Sequence, residues 1–193
     1  FIRNAAFGFA AIMMVSVTAS AQSKVLVVDA QKVIGESEVG KHVQRQLEAI
    51  GKTMGTELQA SASPLQATKQ TLGAELQGKS QQEALAAIKA RPDLIKKVNE
   101  MRSSEQKLAY EQQIKQREIA VTEQKAVMQI GVKVREIIVA IAKERGADVV
   151  LEKSSVIYGD PVDITDTVLE RLNKQMTRIS VVRERLPVAA PKK

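Results

Sequence analysis

The sequence predicts a mainly α protein with a small β component: a small strand-containing head carrying a long antiparallel helical hairpin. Three observations lead there. Two short apolar strand-like runs, Lys24-Val-Leu-Val-Val-Asp29 and Gly146-Ala-Asp-Val-Val-Leu-Glu152, stand far apart in the chain. Between them, residues 36–145 are rich in Gln, Glu, Lys and Ala, with apolar residues at helical spacing. Turn signals, Gly78-Lys-Ser-Gln81 and Ala90-Arg-Pro-Asp93, interrupt that stretch near its middle. Strands so far apart share a sheet only if the intervening chain goes out and comes back.

Val25 to Val28 is a continuous Val/Leu run, the pattern of a strand buried on both faces. Asp29 follows as the cap of a short helix, Ala30 to Ile34, which Gly35 ends. A second helix starts near Glu36 or Ser37. Along this outgoing arm Val43, Leu47, Ile50, Met54 and Leu58 mark one face, and Leu65, Leu72 and Leu76 continue it. Gly51, Gly55 and Gly73 each weaken a helix by about 1 kcal/mol relative to Ala. Pro64 removes a backbone donor and crowds the preceding turn, so a kink or break is expected near residues 61–64.

Ser80 with Glu83 forms a capping-box pattern for a tip helix, roughly Gln81 to Lys89. Pro92 suits the first turn of the next helix. The tip therefore falls at about residues 78–93. The returning arm, Leu94 to Arg145, spans roughly 75 Å at about 1.5 Å per residue. Leu94, Val98, Met101 and Leu108, then Ile114, Val121 and Met128 at sevens, set its seam. Few strong apolar knobs lie between them, which implies a thinly packed, flexible middle. Toward its end, Ile130 to Ile141, the arm is apolar on most faces. Gly146 suits the position after a helix end. A second strand, Asp148 to Glu152, a third, Val156 to Tyr158, and a turn at Gly159-Asp-Pro161 follow. Asp163 or Thr165 caps a last helix. After about Met176 the chain is basic and Pro-containing, and disorder is expected.

The domain organisation is then a segment 1–21, a discontinuous head (22–35 and 146–175), an arm (36–145) and a tail (176–193). Residues 1–21 read as a signal peptide cleaved after about Ala21. Arg3 is the only charge before an apolar stretch from Ala5 to Val17, and Ala19-Ser-Ala21 supplies a small-residue site. That reading places the protein in the periplasm. It also removes every phenylalanine, Phe1, Phe7 and Phe9, and takes the formal charge from +7 to +6 by loss of Arg3 alone. Tyr110 and Tyr158 are then the only aromatic residues, which argues against one large globular core. The absence of cysteine excludes disulfides.

Head residues 24–34 and 147–173, about 38 in all, fall below the roughly 40 at which domains rarely stand alone without staples. Association through the head is therefore expected, with Val25, Val27, Val149, Leu151, Ile137 and Ile141 as the candidate oligomerisation core. Catalytic chemistry is thin. His42, the sole histidine, sits on a polar helix and reads as solvated; no His/Cys cluster or phosphate loop is present. Neither an enzyme nor a cofactor is expected. At the tip, Lys79, Lys89, Arg91, Lys96, Lys97 and Arg102 outnumber Glu83, Asp93 and Glu100. They are candidates for contact with an anionic surface or an acidic client segment, although the same residues also suit an ordinary solvated helix surface.

These features resemble the Skp/OmpH-like periplasmic chaperones of Gram-negative bacteria. The likeness rests on Lys24-Val-Leu-Val-Val-Asp29, on Gly146-Ala-Asp-Val-Val-Leu-Glu152, and on Val156-Ile-Tyr158, Asp163-Ile-Thr165 and Val168-Leu169 in that order. The resemblance implies a homotrimer with a β-stranded trimerisation head and helical tentacles. It implies that unfolded outer-membrane proteins are held in a cavity between the arms, without ATP, before membrane insertion. An anionic membrane surface or lipopolysaccharide is a further partner to consider. Two other classes compete: a structural coiled-coil envelope protein, and a basic nucleic-acid-binding protein. The export signal and the lack of aromatic residues for base stacking oppose the second, so no nucleic-acid partner is expected.

Overall fold

A computed structural model describes residues 23–187; the expected signal peptide and residues 188–193 lie outside them. The elements run β1 (Val25–Val28), α1 (Ala30–Glu36), α2 (Glu38–Leu76), α3 (Gln81–Ala90), α4 (Pro92–Arg145), β2 (Val149–Glu152), a 3-10 turn (Lys153–Ser155), β3 (Val162–Asp163) and α5 (Thr165–Gln175). The strands form one parallel sheet in the order β2-β1-β3. Val25 pairs with Val149 and Val27 with Leu151 on one side; Leu26 pairs with Val162 on the other. The centre of the sheet is thus the apolar run nearest the start, closed from both sides by segments from the far end.

Local chemistry sets the boundaries. Asp29 Oδ1 accepts from Lys32 N at 2.8 Å and starts α1. Ser37 ends α1 and begins α2: its hydroxyl donates to Ile34 O (2.8 Å) and accepts from Gly40 N (3.0 Å) while fully buried. A Cβ at Gly40 would lie 1.9 Å from Ile34 O, so only glycine fits this corner. Ser80 and Glu83 form the full capping box of α3, and Pro92 opens α4. Gly146, at φ +60°, ends α4 in the left-handed region that favours glycine. Lys24 Nζ donates to Arg145 O at 2.5 Å, placing a cation on the helix C-terminus. Ile164, rather than Asp163 or Thr165, takes the cap position of α5, and Asp163 Oδ1 just before it accepts from Thr165 N at 2.8 Å.

The core lies where the two long helices meet the sheet. Leu26, Val33, Val39, Ile130, Ile141, Ile164, Val168 and Leu172 have essentially no exposed surface. Each such side chain contributes about 1.5–3 kcal/mol. The base of α4 is packed into this core together with α1, α2 and α5. Head and arm are therefore continuous at the base, and the core is larger than the strands and short helices alone. Beyond it, α2 and α4 run side by side as the arm, whose longer limb reaches roughly 80 Å at about 1.5 Å per residue.

Four expectations are corrected. First, α2 passes through Pro64 without a break. Pro64 is exposed, Ser63 Oγ donates to Gln59 O (3.0 Å), and buried Met54 and Leu65 hold the helix on α4 from either side. Second, Val156–Tyr158 is not a strand. Ile157 and Tyr158 are fully exposed, Gly159 turns at φ +115°, and Val162–Asp163 takes the edge, with Ile164 N donating to Val27 O at 2.8 Å. Third, the seam of α4 departs from sevens at its middle. Ile114, Glu118, Thr122, Ala126, Ile130 and Val134 are buried at steps of four, while Met128 is exposed. Fourth, the tail is ordered from Met176 to Pro187: it returns along the arm and bonds Gln46, Thr122 and Glu118.

Candidate functional site

Three surfaces carry the chemistry of this chain: the tip, the outer face of the head, and the middle of the arm. At the tip the six cations are not equivalent. Arg91 grips Asp93 through two bonds of 3.3 and 2.6 Å and also reaches Glu75 Oε2 at 3.1 Å. Lys97 Nζ donates to Glu75 Oε1 at 2.5 Å. Lys96 lies 3.9 Å from Glu100. The Lys97 ammonium holds the Glu75 carboxyl below its ordinary range, and Arg91 does the same for Asp93. Arg91 and Lys97 thus tie α2 to the start of α4 and close the hairpin. Lys79, Lys89 and Arg102 are exposed, with no carboxylate among the described residues within 4 Å.

The candidate oligomerisation residues divide in the same way. Ile137 and Ile141 are buried in the subunit's own core, because α1, α2 and α5 pack around the base of α4. Val27 is also buried, and Val25 is partly covered. Val149 and Leu151 keep 44% and 39% of their surface exposed on the same sheet face. Ile157 and Tyr158, in the loop that follows β2 and the 3-10 turn, are fully exposed as well. A second strip, Met128, Val132 and Val139, lies along α4 beside Ile34 and forms a shallow groove.

The middle of the arm holds a cluster that sequence reasoning does not find. Arg183, from the tail, inserts between the two limbs. Its Nη1 donates to both oxygens of Glu57 on α2 (3.0 and 2.9 Å), and its Nε and Nη2 donate to Glu118 Oε2 on α4 (2.9 and 2.6 Å). Lys115 also donates to Glu57. Glu118 is 4% exposed. Bonds from Lys115 and Arg183 pull the Glu57 carboxyl down to about 2. The available signal is faint: Glu118 and Thr122 occupy inward turns of α4 where apolar residues are expected, and Ile179, Val181 and Arg183 alternate as one face of an extended segment. His42 is half-buried on α2. The described residues contain no group of His, Cys, Asp and Glu arranged to hold a metal ion.

No curated protein matches the chain in sequence. In structure it is similar to a protein of Caulobacter crescentus CB15 provisionally described as an OmpH-like outer membrane chaperone. The TM-score is 0.69 at 24% identity, over 86% of this chain and 93% of that one. The same arrangement of sheet and arm is therefore a known fold. The sequence pattern of the family described as "Outer membrane protein (OmpH-like)" matches residues 24–172, from the first residue before β1 to the inward face of α5. With the sheet, the arm and α5 as far as Leu172 inside that match, the chain belongs to the OmpH-like family.

Proposed function

We propose that this protein is an ATP-independent periplasmic holdase that binds unfolded outer-membrane proteins between the arms of a homotrimer and prevents their aggregation before membrane insertion. Family membership supports the chaperone role, and the provisional description of the C. crescentus relative points the same way. The observation that carries the reading is the shape of one subunit. A long arm springs from a head whose outer face leaves Val149, Leu151, Ile157 and Tyr158 uncovered. Covering that face with other copies brings several arms to one hub. Weak contacts from several arms raise the effective concentration of binding sites around one client, so no tight pocket is needed. A protein that binds the unfolded chain opposes its misassembly by mass action, without an energy source.

In this reading Val149 and Leu151, rather than Ile137 and Ile141, supply the association surface, and Lys79, Lys89 and Arg102 supply contact with an anionic membrane surface or acidic client. Binding rather than catalysis is the activity. The test is dilution of a urea-unfolded β-barrel protein into buffer with a stoichiometric amount of the purified protein. Light scattering should stay low, and native mass spectrometry should give three times the subunit mass. Unchanged scattering would count decisively against the reading.

A further inference from the structure

The tail lies on the arm as an extended polypeptide, held by main-chain hydrogen bonds, by the Arg183 clamp, by a Lys125–Glu184 ion pair (2.7 Å) and by Ile179 and Val181 packed on the edge of the core. Gln46 on α2 donates from Nε2 to Ile179 O (2.8 Å) and accepts at Oε1 from Val181 N (3.0 Å). Thr122 Oγ1 on α4 accepts from Glu184 N (3.0 Å), and Glu118 Oε1 accepts from Leu186 N (3.0 Å). Four of the contacts thus reach main-chain atoms that any sequence supplies. The side chain read most closely is Arg183, clamped by Glu57 and Glu118.

Glu57 also takes a bond from Lys115 across the limbs, but the side-chain oxygens of Gln46 and Glu118 bond only to the tail. Glu118 and Thr122 occupy seam positions where an apolar residue would pack α4 against α2 more firmly. Instead both are buried, at 4% and 1% exposure, and bonded to the tail. The tail lies beyond residue 172, where the family match ends. The arm therefore carries a polar groove, shaped for an extended chain with a cationic residue, where Glu118 and Thr122 interrupt the apolar seam between Ile114 and Ala126.

We propose that this groove, between Gln46 and Glu57 on one limb and Glu118 and Thr122 on the other, is a binding site for an extended segment of unfolded client carrying an Arg or Lys, and that residues 179–186 occupy it as a displaceable strap. The client class rests on the holdase reading above. A strap on the same chain is present at an effective concentration of about millimolar. A lone client segment therefore sees a site whose apparent affinity is lowered by the fraction of straps that are open. A client already held by neighbouring arms competes on equal terms, because its segments are also tethered. The strap would thus select long, multiply engaged chains over short peptides.

The probe is a fluorescent peptide with the sequence of residues 178–187, titrated into the full chain. Arg183→Glu in the full chain sets a carboxylate against Glu57 and Glu118 and should open the strap. The peptide is expected to bind that variant at least about tenfold more tightly than the unaltered protein, by anisotropy. Adding urea-unfolded β-barrel protein should displace it. Equal binding to both proteins, or no displacement by the unfolded barrel, overturns the proposal. If the unaltered protein still suppresses aggregation while displacement fails, the holdase reading stands and the groove assignment alone is lost. Should Arg183→Glu fail to fold by circular dichroism, hydrogen exchange on the unaltered chain decides. The amides of Val181, Glu184 and Leu186 should exchange at least about tenfold faster with client bound; unchanged exchange overturns the proposal.

Discussion

Arg183 Nη2 and Glu118 Oε2 meet at 2.6 Å in the middle of the arm, although 65 positions separate them in sequence. Glu118 is nearly buried, and Arg183 is its cover as well as its counter-charge. Removing the arginine has two possible costs: a stranded buried carboxylate, about 3–5 kcal/mol, or the loss of the strap's own contacts while Glu118 regains water. The second is smaller, because the strap touches the core only at its edge, through Ile179 and Val181, and the residues with no exposed surface all lie in other elements. Arg183→Ala should therefore release residues 179–186 and leave the main thermal transition within a few degrees of its original midpoint. Glu118→Leu combined with Arg183→Leu places an apolar knob on the seam. That pair should be neutral or stabilising by about 1–4 kcal/mol. Urea denaturation of both variants checks the ordering.

The corner between α1 and α2 is expected to be the least tolerant point of the head. Gly40→Ala places a methyl group 1.9 Å from Ile34 O, and both helices must shift to relieve it. A loss of about 2–3 kcal/mol follows from overpacking of this kind. Ser37→Ala removes a buried cap and should cost about 1 kcal/mol. Urea midpoints should place Gly40→Ala well below Ser37→Ala; the reverse order would refute the steric account.

What could be read from the sequence was local. Asp29, the Ser80–Glu83 box, Pro92 and Gly146 mark helix ends through contacts within four residues, and all four stand where their chemistry places them. The pairing of Val25–Val28 with Val149–Glu152 was legible because both are short apolar runs that bracket the helical stretch. The two-residue β3 was not, because its place depends on the Ile164 N to Val27 O bond rather than on propensity, and Val156-Ile-Tyr158 has the stronger strand composition. Ile137 and Ile141 read as surplus apolar surface only while α1 and α5 are not yet folded around them. The strap was hidden for a related reason. A lone arginine in a basic tail gains its meaning from Glu57, 126 positions away.

Pro64 gives a direct test of how α2 tolerates a missing donor. The helix is already continuous, so Pro64→Ala need not straighten it; it restores the bond to the carbonyl four residues earlier. The substitution should raise stability by about 1–3 kcal/mol with little change in helical content by circular dichroism. A large gain in helical signal would instead mean that α2 is interrupted in solution.

The tip cations should separate by pairing. Reversing Lys79, Lys89 and Arg102 to Glu removes charges that form no ion pair within 4 Å among the described residues, and should abolish most low-salt association with anionic vesicles. Each such charge contributes about 1 kcal/mol near an anionic surface. Reversing Arg91 and Lys97 should instead loosen the hairpin, because both bind Glu75. Vesicle co-sedimentation and thermal melting distinguish the two effects. Equal vesicle binding by the unaltered and triple-reversal proteins would exclude the tip as the contact.

Acid should release the strap before neutral conditions trouble it. The Glu57 carboxyl is drawn from 4.5 to about 2, first by the Lys115 bond and then by Arg183. Its folded value is depressed, so the folded state binds fewer protons than the unfolded one across that interval. The stabilisation is complete above about pH 4.5 and is lost as pH falls toward 2. In the head, Asp163 is held at about 2 by bonds from Lys153 and Thr165, so the start of α5 weakens over a similar window, from 3.8 downward. Glu57 remains partly exposed, so solvent screens part of the effect and the change should be gradual. Amide resonances of Val181 and Glu184, followed from pH 7 to pH 2, should hold steady to about pH 4.5 and then move together as Glu57 protonates. A midpoint between pH 5 and 7 would show that a group other than Glu57 controls the strap.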